Sequence, residues 1–268
     1  MALVVSMMLW QGTAVLQPAV SSVTLPAPEG PHVVGFWETT IQSARPDLLS
    51  AEPLDRRELL LQVWYPAGMT ARATKPYVTP EVAASLVSLG LPESIAAIQT
   101  HSVRGAPPIP GRLPLVLLSH GLSWPGVLYQ SFAEDLASRG YVAAVVTHPH
   151  AAVGLQYPDG RVKDMSLWPK IADERARQAF LAEHVAVWVD DLTEVLDLCE
   201  RWSRGEGSGP LRGAVDPARI VAAGHSYGGT AAARMLSDPR VKGAIALEGK
   251  ARSLDGAIQP VAGPFMHV

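Results

Sequence analysis

The sequence predicts an α/β fold in which a mostly parallel sheet is covered by helices on both faces. Short runs of β-branched and small apolar residues recur along the chain, as in strands that are buried on both faces. Segments with helical periodicity separate these runs, and an alternation of strands and helices is the order that gives a parallel sheet. A chain of 268 residues with 48% apolar content is long enough to bury one such core.

The chain is predicted to divide into an apolar N-terminal segment, residues 1–24, and a folded domain, residues 25–268. Met1–Leu16 is mostly apolar and Ala19–Ser21 resembles a signal-peptide cleavage site, but no Lys or Arg precedes Arg45. The apolar run is also interrupted before it reaches the length of about 20 residues that a spanning helix needs. A signal or anchor remnant and a cropped start both stay open. The localisation is therefore uncertain between a secreted or membrane-associated protein and a cytoplasmic one.

The individual elements follow from the period of their apolar residues and from the Gly and Pro residues that bound them. The predicted strands are Val33–Thr40, Glu58–Tyr65 (ending at Pro66), Leu113–Leu118, Tyr141–Thr147, Arg219–Ala223 and Val241–Leu247. The predicted helices are Pro80–Leu89, Glu93–Gln99, Val127–Arg139, a long helix that includes Leu181–Cys199, and Thr230–Leu236. Residues 76–110 form an insertion that either walls a substrate cleft or is a surface excursion.

The long helix has one apolar face, predicted to pack on the sheet, whose members recur at steps of three and four residues. Those members are Leu181, Val185, Trp188, Leu192, Val195 and Cys199. Asp190, Asp191 and Glu194 are predicted to face solvent, and His184 on the margin of the face is interpreted as a structural histidine. Cys199 is the only cysteine, which excludes an intramolecular disulfide and a cysteine-based metal cluster, and it is interpreted as a core residue.

The sequence Gly224-His225-Ser226-Tyr227-Gly228 is the most informative motif in the chain. Gly-x-Ser-x-Gly is short enough to occur by chance, so its context decides its meaning. Here a buried strand precedes the serine and a helix-forming segment follows it. That order is the strand–turn–helix in which α/β hydrolases present a nucleophilic serine, and the turn is so tight that it requires glycine on both sides. The motif predicts an α/β-hydrolase fold with Ser226 as the nucleophile.

A second segment fits the same fold. The strand Leu113–Leu118 runs directly into Ser119-His120-Gly121-Leu122. In α/β hydrolases a His-Gly segment after the third strand supplies one backbone N–H of the oxyanion hole, and the residue after the nucleophile supplies the other. The predicted donors are therefore Leu122 and Tyr227. The alternative is that His120 and Gly121 merely end a strand.

The catalytic acid is expected at the end of the strand that follows the nucleophile helix. Glu248 stands directly after Val241–Leu247, at the strand end where ligands meet open α/β sheets. A carboxylate there can orient an imidazole and stabilise its charged form. Asp255 is the reserve candidate, and a solvated strand-end carboxylate is the alternative interpretation of Glu248.

No cofactor and no metal are predicted. His148-Pro149-His150 places two histidines close in sequence, but no third ligand accompanies them at a useful spacing, so lining a cleft or simply occupying a loop compete with a metal role. The net charge is −3 and the isoelectric point is near 6.2, so nothing suggests a nucleic-acid partner.

Several segments together resemble the platelet-activating factor acetylhydrolase family, of the plasma type and its bacterial relatives. The segments shared with the family are Leu115–Leu122, Asp135–Val145, Gly224–Gly229 and Ala244–Glu248, and those shared with its bacterial members are Leu25–Pro31, Gln62–Ala67 and Tyr157–Arg161. The resemblance implies a calcium-independent serine esterase that cleaves short or oxidised acyl groups from phospholipids or small esters. It implies a small-molecule or lipid ester as substrate, and it leaves contact with a membrane surface open.

Carried over by position, the resemblance assigns Ser226 as nucleophile, Leu122 and Tyr227 as the oxyanion hole, and Glu248 as the acid. The family usually has Asp at the position of Glu248, so the carboxylate here needs a different reach. The family's histidine follows the next strand by some tens of residues, whereas this sequence ends at Gly263–Val268. We therefore expect a fold that is incomplete at its C-terminal end and lacks the catalytic histidine. The alternative within the enzyme class is a histidine donated from an unusual place in the chain order.

Two function classes follow. The leading one is a serine hydrolase of carboxylic esters that acts through an acyl-enzyme on Ser226. The alternative is a catalytically inactive protein of the same fold that binds a lipid or a partner, and the missing histidine discriminates the two classes. His267 is the only histidine after Glu248, and its setting predicts a strand residue rather than a loop over the nucleophile. Polyester-, cutinase- and dienelactone-type activities stay open.

Overall fold

The computed structural model describes residues 23–68, 73–248 and 263–268. Within these ranges the main feature is a nine-stranded mixed sheet in the order β11-β10-β9-β5-β6-β2-β1-β4-β3, with β7 and β8 paired separately. The strands are β1 (Val33–Pro46), β2 (Arg56–Ala67), β3 (Thr74–Pro76), β4 (Gln99–Arg104), β5 (Leu113–Ser119), β6 (Val142–Thr147), β7 (Leu155–Gln156), β8 (Val162–Lys163), β9 (Val215–His225), β10 (Val241–Leu247) and β11 (Phe265–His267). The five strands from β11 to β6 run parallel, while β2 is antiparallel to β6 and β1 to β2.

Helices cover the two faces of the sheet. They are α1 (Pro80–Ser88), α2 (Gln130–Ser138), α3 (Glu174–Ser203) and α4 (Tyr227–Arg234), with short 3₁₀ turns at Glu93–Ala97, Gly126–Tyr129 and Met235–Ser237. The long helix α3 begins where the Asp173 side chain accepts a hydrogen bond from the Ala176 N–H at 2.8 Å, the usual N-cap arrangement. In the part of the chain that the structure describes, no helix is long and apolar enough to cross a bilayer.

Alternate residues of the central strands enter two different cores. Leu117 packs in the same cluster as Trp188 of α3, whereas its neighbour Leu118 packs with Ala133 of α2. Successive side chains of a strand point to opposite faces, so a strand that is apolar throughout must be covered on both sides. The predicted α/β-hydrolase architecture, a mostly parallel sheet between helices, is confirmed.

The strand and helix boundaries differ in detail from the sequence prediction. Strand β1 continues beyond Thr40 to Pro46. Strand β2 includes Pro66, which pairs with Val34 and whose carbonyl accepts a hydrogen bond from the Ile109 N–H at 3.0 Å. The predicted helix 127–139 begins as a 3₁₀ turn and becomes α-helical only from Gln130.

The insertion at residues 76–110 contains a strand that the sequence did not predict. Strand β4 pairs in parallel with β1, and its polar residues are unlike those of the central strands. Ser102 is buried, and its hydroxyl is satisfied by two hydrogen bonds. It accepts one from the Trp64 indole N–H at 3.0 Å and donates one to the Glu134 carboxylate. The residues of a strand that is buried through hydrogen bonds rather than apolar contacts show no alternation of apolar and polar residues. The sequence therefore contains no indication of a strand in this segment.

The orientation predicted for one residue of α3 is wrong. Asp190 is exposed as expected, and Glu194 is partly exposed, but Asp191 is fully buried. Its carboxylate receives hydrogen bonds from the Arg57 guanidinium, the shortest at 2.8 Å. A buried carboxylate is stable when it is paired and hydrogen-bonded, and Arg57, itself fully buried, supplies that pair.

The remaining expectations concern one cysteine, two histidines and the residues outside the described ranges. Cys199 is a core residue as predicted, and burial raises the pKa of its thiol to about 12. His184 is buried, as expected of a structural histidine. His267 is a strand residue of β11, paired with Ala246. Asp255 and almost all of the segment 1–24 lie outside the described residues, so the division at residues 24 and 25 stays a prediction.

Candidate active site

Ser226 lies on the sharp turn between β9 and α4 that the motif predicts. Its backbone has φ 50° and ψ −117°, a conformation that L-residues rarely adopt and that is held here by its surroundings. A Cβ atom on Gly224 would lie 2.2 Å from the carbonyl oxygen of Gly228, and one on Gly228 would lie 2.3 Å from that of His120. Both flanking positions therefore require glycine. The Ser226 N–H donates to the Leu247 carbonyl at 2.8 Å, which ties the turn to the end of β10.

The four residues predicted to form the site surround one pocket of about 200 Å³. Its lining includes Ser226, Leu122, Tyr227 and Glu248, with Leu181 from α3. Ser226 and Glu248 are exposed, whereas Tyr227 is buried and its hydroxyl donates to the Leu181 carbonyl at 2.7 Å. The four residues that were predicted separately from the sequence thus line the same pocket. Their chemical roles stay predictions.

Hydrogen bonds hold Gly121 at both of its peptides. The Gly121 N–H donates to the Tyr129 hydroxyl at 2.9 Å, and the Gly121 carbonyl lies 2.7 Å from Nδ1 of His120. Because Nε2 of His120 accepts the His148 N–H at 3.0 Å, Nδ1 carries the proton and donates to that carbonyl. A trans peptide points its N–H away from its C=O, so fixing the carbonyl also fixes the direction of the Leu122 N–H.

His120 is neutral in this arrangement. Its ring is fully buried, and burial together with the neighbouring His148 lowers the pKa of His120 to about 3. A charged imidazolium would carry a proton on both ring nitrogens and could not accept the His148 N–H. The neutral ring with its proton on Nδ1 is therefore the form that supports the Gly121–Leu122 peptide.

A chain of hydrogen bonds connects the Gly121 N–H to Glu248. Nε2 of His225 faces a Glu248 carboxylate oxygen at 3.4 Å, and because a carboxylate only accepts, Nε2 is the donor of this bond. The Tyr129 hydroxyl, which accepts the Gly121 N–H, lies 2.8 Å from Nδ1 of His225. The close approach depends on Gly121, since a Cβ there would lie 2.6 Å from Nδ1 of His225. The Glu248 backbone has φ 52°, and its side chain is 83% exposed.

Sequence reasoning missed Tyr129 and His225 as parts of the site. His225 occupies the variable position of the Gly-x-Ser-x-Gly motif, and Tyr129 lies in the 3₁₀ turn that precedes α2. The two residues are 96 positions apart. The available signal was an aromatic hydroxyl shortly after the His-Gly segment, but nothing in its spacing shows which group it contacts.

A second serine, histidine and aspartate, Ser119, His148 and Asp191, are connected by hydrogen bonds and do not line the pocket. Nδ1 of His148 lies 2.7 Å from an Asp191 carboxylate oxygen, and Nε2 lies 2.9 Å from the Ser119 hydroxyl. All three side chains are fully buried, so no substrate reaches the hydroxyl. Burial would raise the pKa of Asp191, but the Arg57 charge and the hydrogen bonds from His148 and Arg57 hold it far below its usual range.

The two histidines of His148-Pro149-His150 are therefore structural. Burial lowers the pKa of His148, and the hydrogen bond to Asp191 offsets this only in part. Nε2 of His150 lies 3.2 Å from the Asp47 carboxylate, which adds a second histidine–carboxylate pair at this edge. In the described ranges no group of three or more His, Cys, Asp or Glu side chains is arranged to hold a metal ion.

None of the histidines is hydrogen-bonded to the Ser226 hydroxyl in the part of the chain that the structure describes, which includes all eight of them. The ring nearest to the acid, His225, is engaged by Tyr129 and Glu248. The described residues thus provide a strained serine, two backbone donors and a carboxylate around one pocket, without a histidine base in contact with the serine.

The chain is similar to known proteins in sequence and in fold. The model of the platelet-activating factor acetylhydrolase family, isoform II, matches residues 18–259. The chain is 28% identical to the platelet-activating factor acetylhydrolase of Canis lupus familiaris over 174 residues, which are 55% of this chain and 37% of that protein. It is 23% identical to that of Gallus gallus over 256 residues, 84% of this chain and 60% of that protein. The chain thus spans less than two thirds of the length of these curated relatives.

A solved structure supports the same assignment of the fold. The ferulic acid esterase from Streptomyces cinnamoneus superposes with a TM-score of 0.72 at 30% identity, over 92% of this chain and 68% of that one. The family model extends over most of the chain, from before β1 to beyond β10, which ends at Leu247. The protein belongs to the platelet-activating factor acetylhydrolase family, isoform II.

Proposed function

We propose that the protein is a serine hydrolase of carboxylic esters that forms an acyl-enzyme on Ser226. The observation that carries the proposal is the backbone of Ser226, held at φ 50° between two glycines that admit no Cβ. Strain of this kind persists where the surrounding structure enforces it, and it projects a serine hydroxyl from the top of the sheet. The exposed hydroxyl opens into the pocket that Leu122 and Tyr227 line.

The reaction assigns a role to each of these residues. The Ser226 oxygen attacks the ester carbonyl and passes its proton to an imidazole, which the described histidines do not place at the serine and which added imidazole supplies in the test below. The backbone N–H groups of Leu122 and Tyr227 bind the oxygen that becomes negative. Each such donor contributes about 3 to 4 kcal/mol in the transition state. The alcohol leaves with a proton, and water then hydrolyses the acyl-enzyme and frees Ser226. The Glu248 carboxylate orients the imidazole that carries the proton.

The substrate class is a small-molecule or lipid ester. The printed names of the relatives, two acetylhydrolases and a ferulic acid esterase, support hydrolysis of carboxylic esters. The net charge of −3 gives no basis for binding nucleic acid. Contact with a membrane surface is part of the proposal only insofar as the ester is a lipid.

The test is turnover of p-nitrophenyl acetate by the 268-residue chain. Because no described histidine contacts the Ser226 hydroxyl, we expect slow hydrolysis that added imidazole accelerates beyond the rate of imidazole alone, and Ser226→Ala should reduce the rate to that protein-free background. Ser88→Ala, at the exposed end of α1, is the matched control and should leave the rate unchanged. Hydrolysis that persists in Ser226→Ala would contradict the proposal. A protein that binds esters but shows no Ser226-dependent turnover, with or without imidazole, would support the non-catalytic alternative.

A further inference from the structure

A groove of about 450 Å³ lies beside the catalytic pocket. Its walls are mostly apolar and come from the segment before α3 and from the first turns of that helix. The large apolar residues that line it are Leu122, Met165, Trp168, Ile171, Phe180 and Leu181, and the charged residues Lys170 and Arg177 also contribute to its lining. Its volume falls within the range of about 300 to 1,000 Å³ that is typical of small-molecule sites, and its composition is that of such sites.

The groove is continuous with the pocket that contains the nucleophile. Leu122 and Leu181 line both of them. Leu122 is also one of the two predicted oxyanion donors, so a carbonyl bound at Ser226 lies at the point where pocket and groove meet. A group attached to that carbonyl can therefore enter the groove without leaving the site.

The position of Glu248 decides which half of the ester enters. Glu248 lines the catalytic pocket but not the groove. The leaving alcohol must receive its proton from an imidazole that the carboxylate orients, so the alcohol departs on the Glu248 side. The acyl half then extends the other way, past Leu122 and into the groove.

The chemistry of the wall indicates what kind of acyl group fits. Trp168 meets Phe180 edge to face at 5.4 Å, and both rings pack against His184, at 5.0 and 5.1 Å. His184 is buried, and burial first of all lowers the pKa of its ring to about 4, so His184 adds no charge to this aromatic part of the wall near neutral pH. Fixed aromatic faces of this kind favour apolar chains and rings over polar groups.

We propose that this groove is the acyl-binding subsite and that it selects esters of medium-chain apolar acids over acetates, with Trp168 as a main determinant. The inference rests on the proposed function for the identity of the bound group. An acetyl group would leave the groove empty. Each further methylene that becomes buried is expected to improve binding about fourfold.

The experiment measures binding, so that it does not depend on turnover. The Ser226→Ala variant of the 268-residue chain is titrated calorimetrically with octanamide and with acetamide, neutral ligands whose carbonyl can occupy the oxyanion site. We expect octanamide to bind at least about tenfold more tightly than acetamide. Adding Trp168→Ala should reduce this ratio to below about threefold. Adding Trp168→Phe, which keeps an aromatic face, should preserve most of it.

Leu167→Ala is the matched control, because Leu167 is the exposed neighbour of Trp168 and does not line the groove. It should leave the ratio unchanged. Phe180→Ala tests the same wall from α3, in case Trp168→Ala does not fold. Equal binding of the two amides, or a ratio that survives both Trp168→Ala and Phe180→Ala, would overturn the proposal.

Labelling of the unmutated chain by a fluorophosphonate in the presence of added imidazole separates this outcome from failure of the proposed function. Labelling at Ser226 without preference for octanamide would refute the subsite and leave the esterase assignment intact. A preference for octanamide that depends on Trp168, without labelling, would refute the esterase assignment and support an apolar ligand site in the groove.

Discussion

The Tyr129 hydroxyl lies 2.8 Å from Nδ1 of His225, and this hydrogen bond joins residues 120–122, which include the predicted oxyanion donor Leu122, to the turn that carries Ser226. The same hydroxyl accepts the Gly121 N–H at 2.9 Å. One side chain thus ties the residue before Leu122 to the strand end that carries Ser226. An oxyanion hole works only if its donors are already placed where the negative charge develops.

Tyr129→Phe is therefore expected to lower kcat for p-nitrophenyl acetate by about tenfold, with little change in KM. The variant leaves the Gly121 N–H without its acceptor and releases His225. The loss should remain below the 10²- to 10³-fold effect, in round numbers, of removing a donor outright. Tyr141→Phe, an exposed tyrosine, is the control. A rise in KM at constant kcat would instead assign Tyr129 to substrate binding.

Glu248→Gln is expected to lower the Ser226-dependent rate by at least about tenfold while leaving the thermal melting temperature nearly unchanged. The roughly 10⁴-fold loss seen when a triad carboxylate becomes an amide sets the upper bound. The side chain is exposed, so its replacement costs little packing. Asp255→Asn is the comparison, and the roles of the two acids would exchange if only that variant lost activity.

The glycines on the two sides of the Ser226 turn, Gly224 and Gly228, give a test of stability. Gly228→Ala places a Cβ 2.3 Å from the His120 carbonyl oxygen and 2.5 Å from that of Ser119, both of them backbone atoms that cannot rotate away. We expect a loss of at least about 1 to 3 kcal/mol in the free energy of unfolding, the usual cost of overpacking. Gly68→Ala is the matched control, because its Cβ would have no neighbour closer than 4.0 Å. Similar urea midpoints for the two variants would contradict the assigned geometry.

Acid is expected to destabilise the protein in two steps. The pKa of His120 is lowered to about 3 and that of His184 to about 4, in each case chiefly by burial. Their contribution is complete above the unfolded histidine pKa of about 6.5, and it is lost as the pH falls from there toward the folded values, by up to about 1.4 kcal/mol per pH unit for each histidine. Asp191, whose pKa is lowered, adds a further loss below about pH 4.

Urea unfolding between pH 7.5 and 4.5 measures the first step. His184→Phe keeps an aromatic ring beside Phe180 but does not titrate, so its stability should fall less steeply over this range than that of the unmutated chain. A free energy of unfolding that stays constant down to pH 4.5 would show that these histidines are not held neutral by the fold.

The sequence predicted the parts of the site that depend on local order. Ser226, Leu122, Tyr227 and Glu248 each follow a strand or precede a helix, and a parallel sheet brings such strand ends to one edge. Tyr129 and His225 were missed because their contact joins two segments that lie far apart in the chain. The spacing of residues along the sequence does not indicate such a contact.

Asp191 was a different kind of miss, since its burial could have been predicted. It lies three residues after Trp188 and four before Val195, and residues at these spacings share one helix face. A carboxylate on the apolar face implies a buried cation opposite. Strand β2 supplies that cation as Arg57, but Arg57 is 134 residues away from it in sequence. The partner therefore could not be identified without the fold.

The most direct test of the central claim is the site of covalent modification by a fluorophosphonate, with imidazole added as the base, mapped by mass spectrometry of the proteolysed 268-residue chain. The account predicts one adduct, on the peptide that contains Ser226, and none in Ser226→Ala. Ser119 is hydrogen-bonded to His148, which in turn is hydrogen-bonded to Asp191. Because Ser119 is fully buried, it should remain unmodified. An adduct on Ser119, or labelling that persists in Ser226→Ala, would contradict the assignment of Ser226 as the nucleophile.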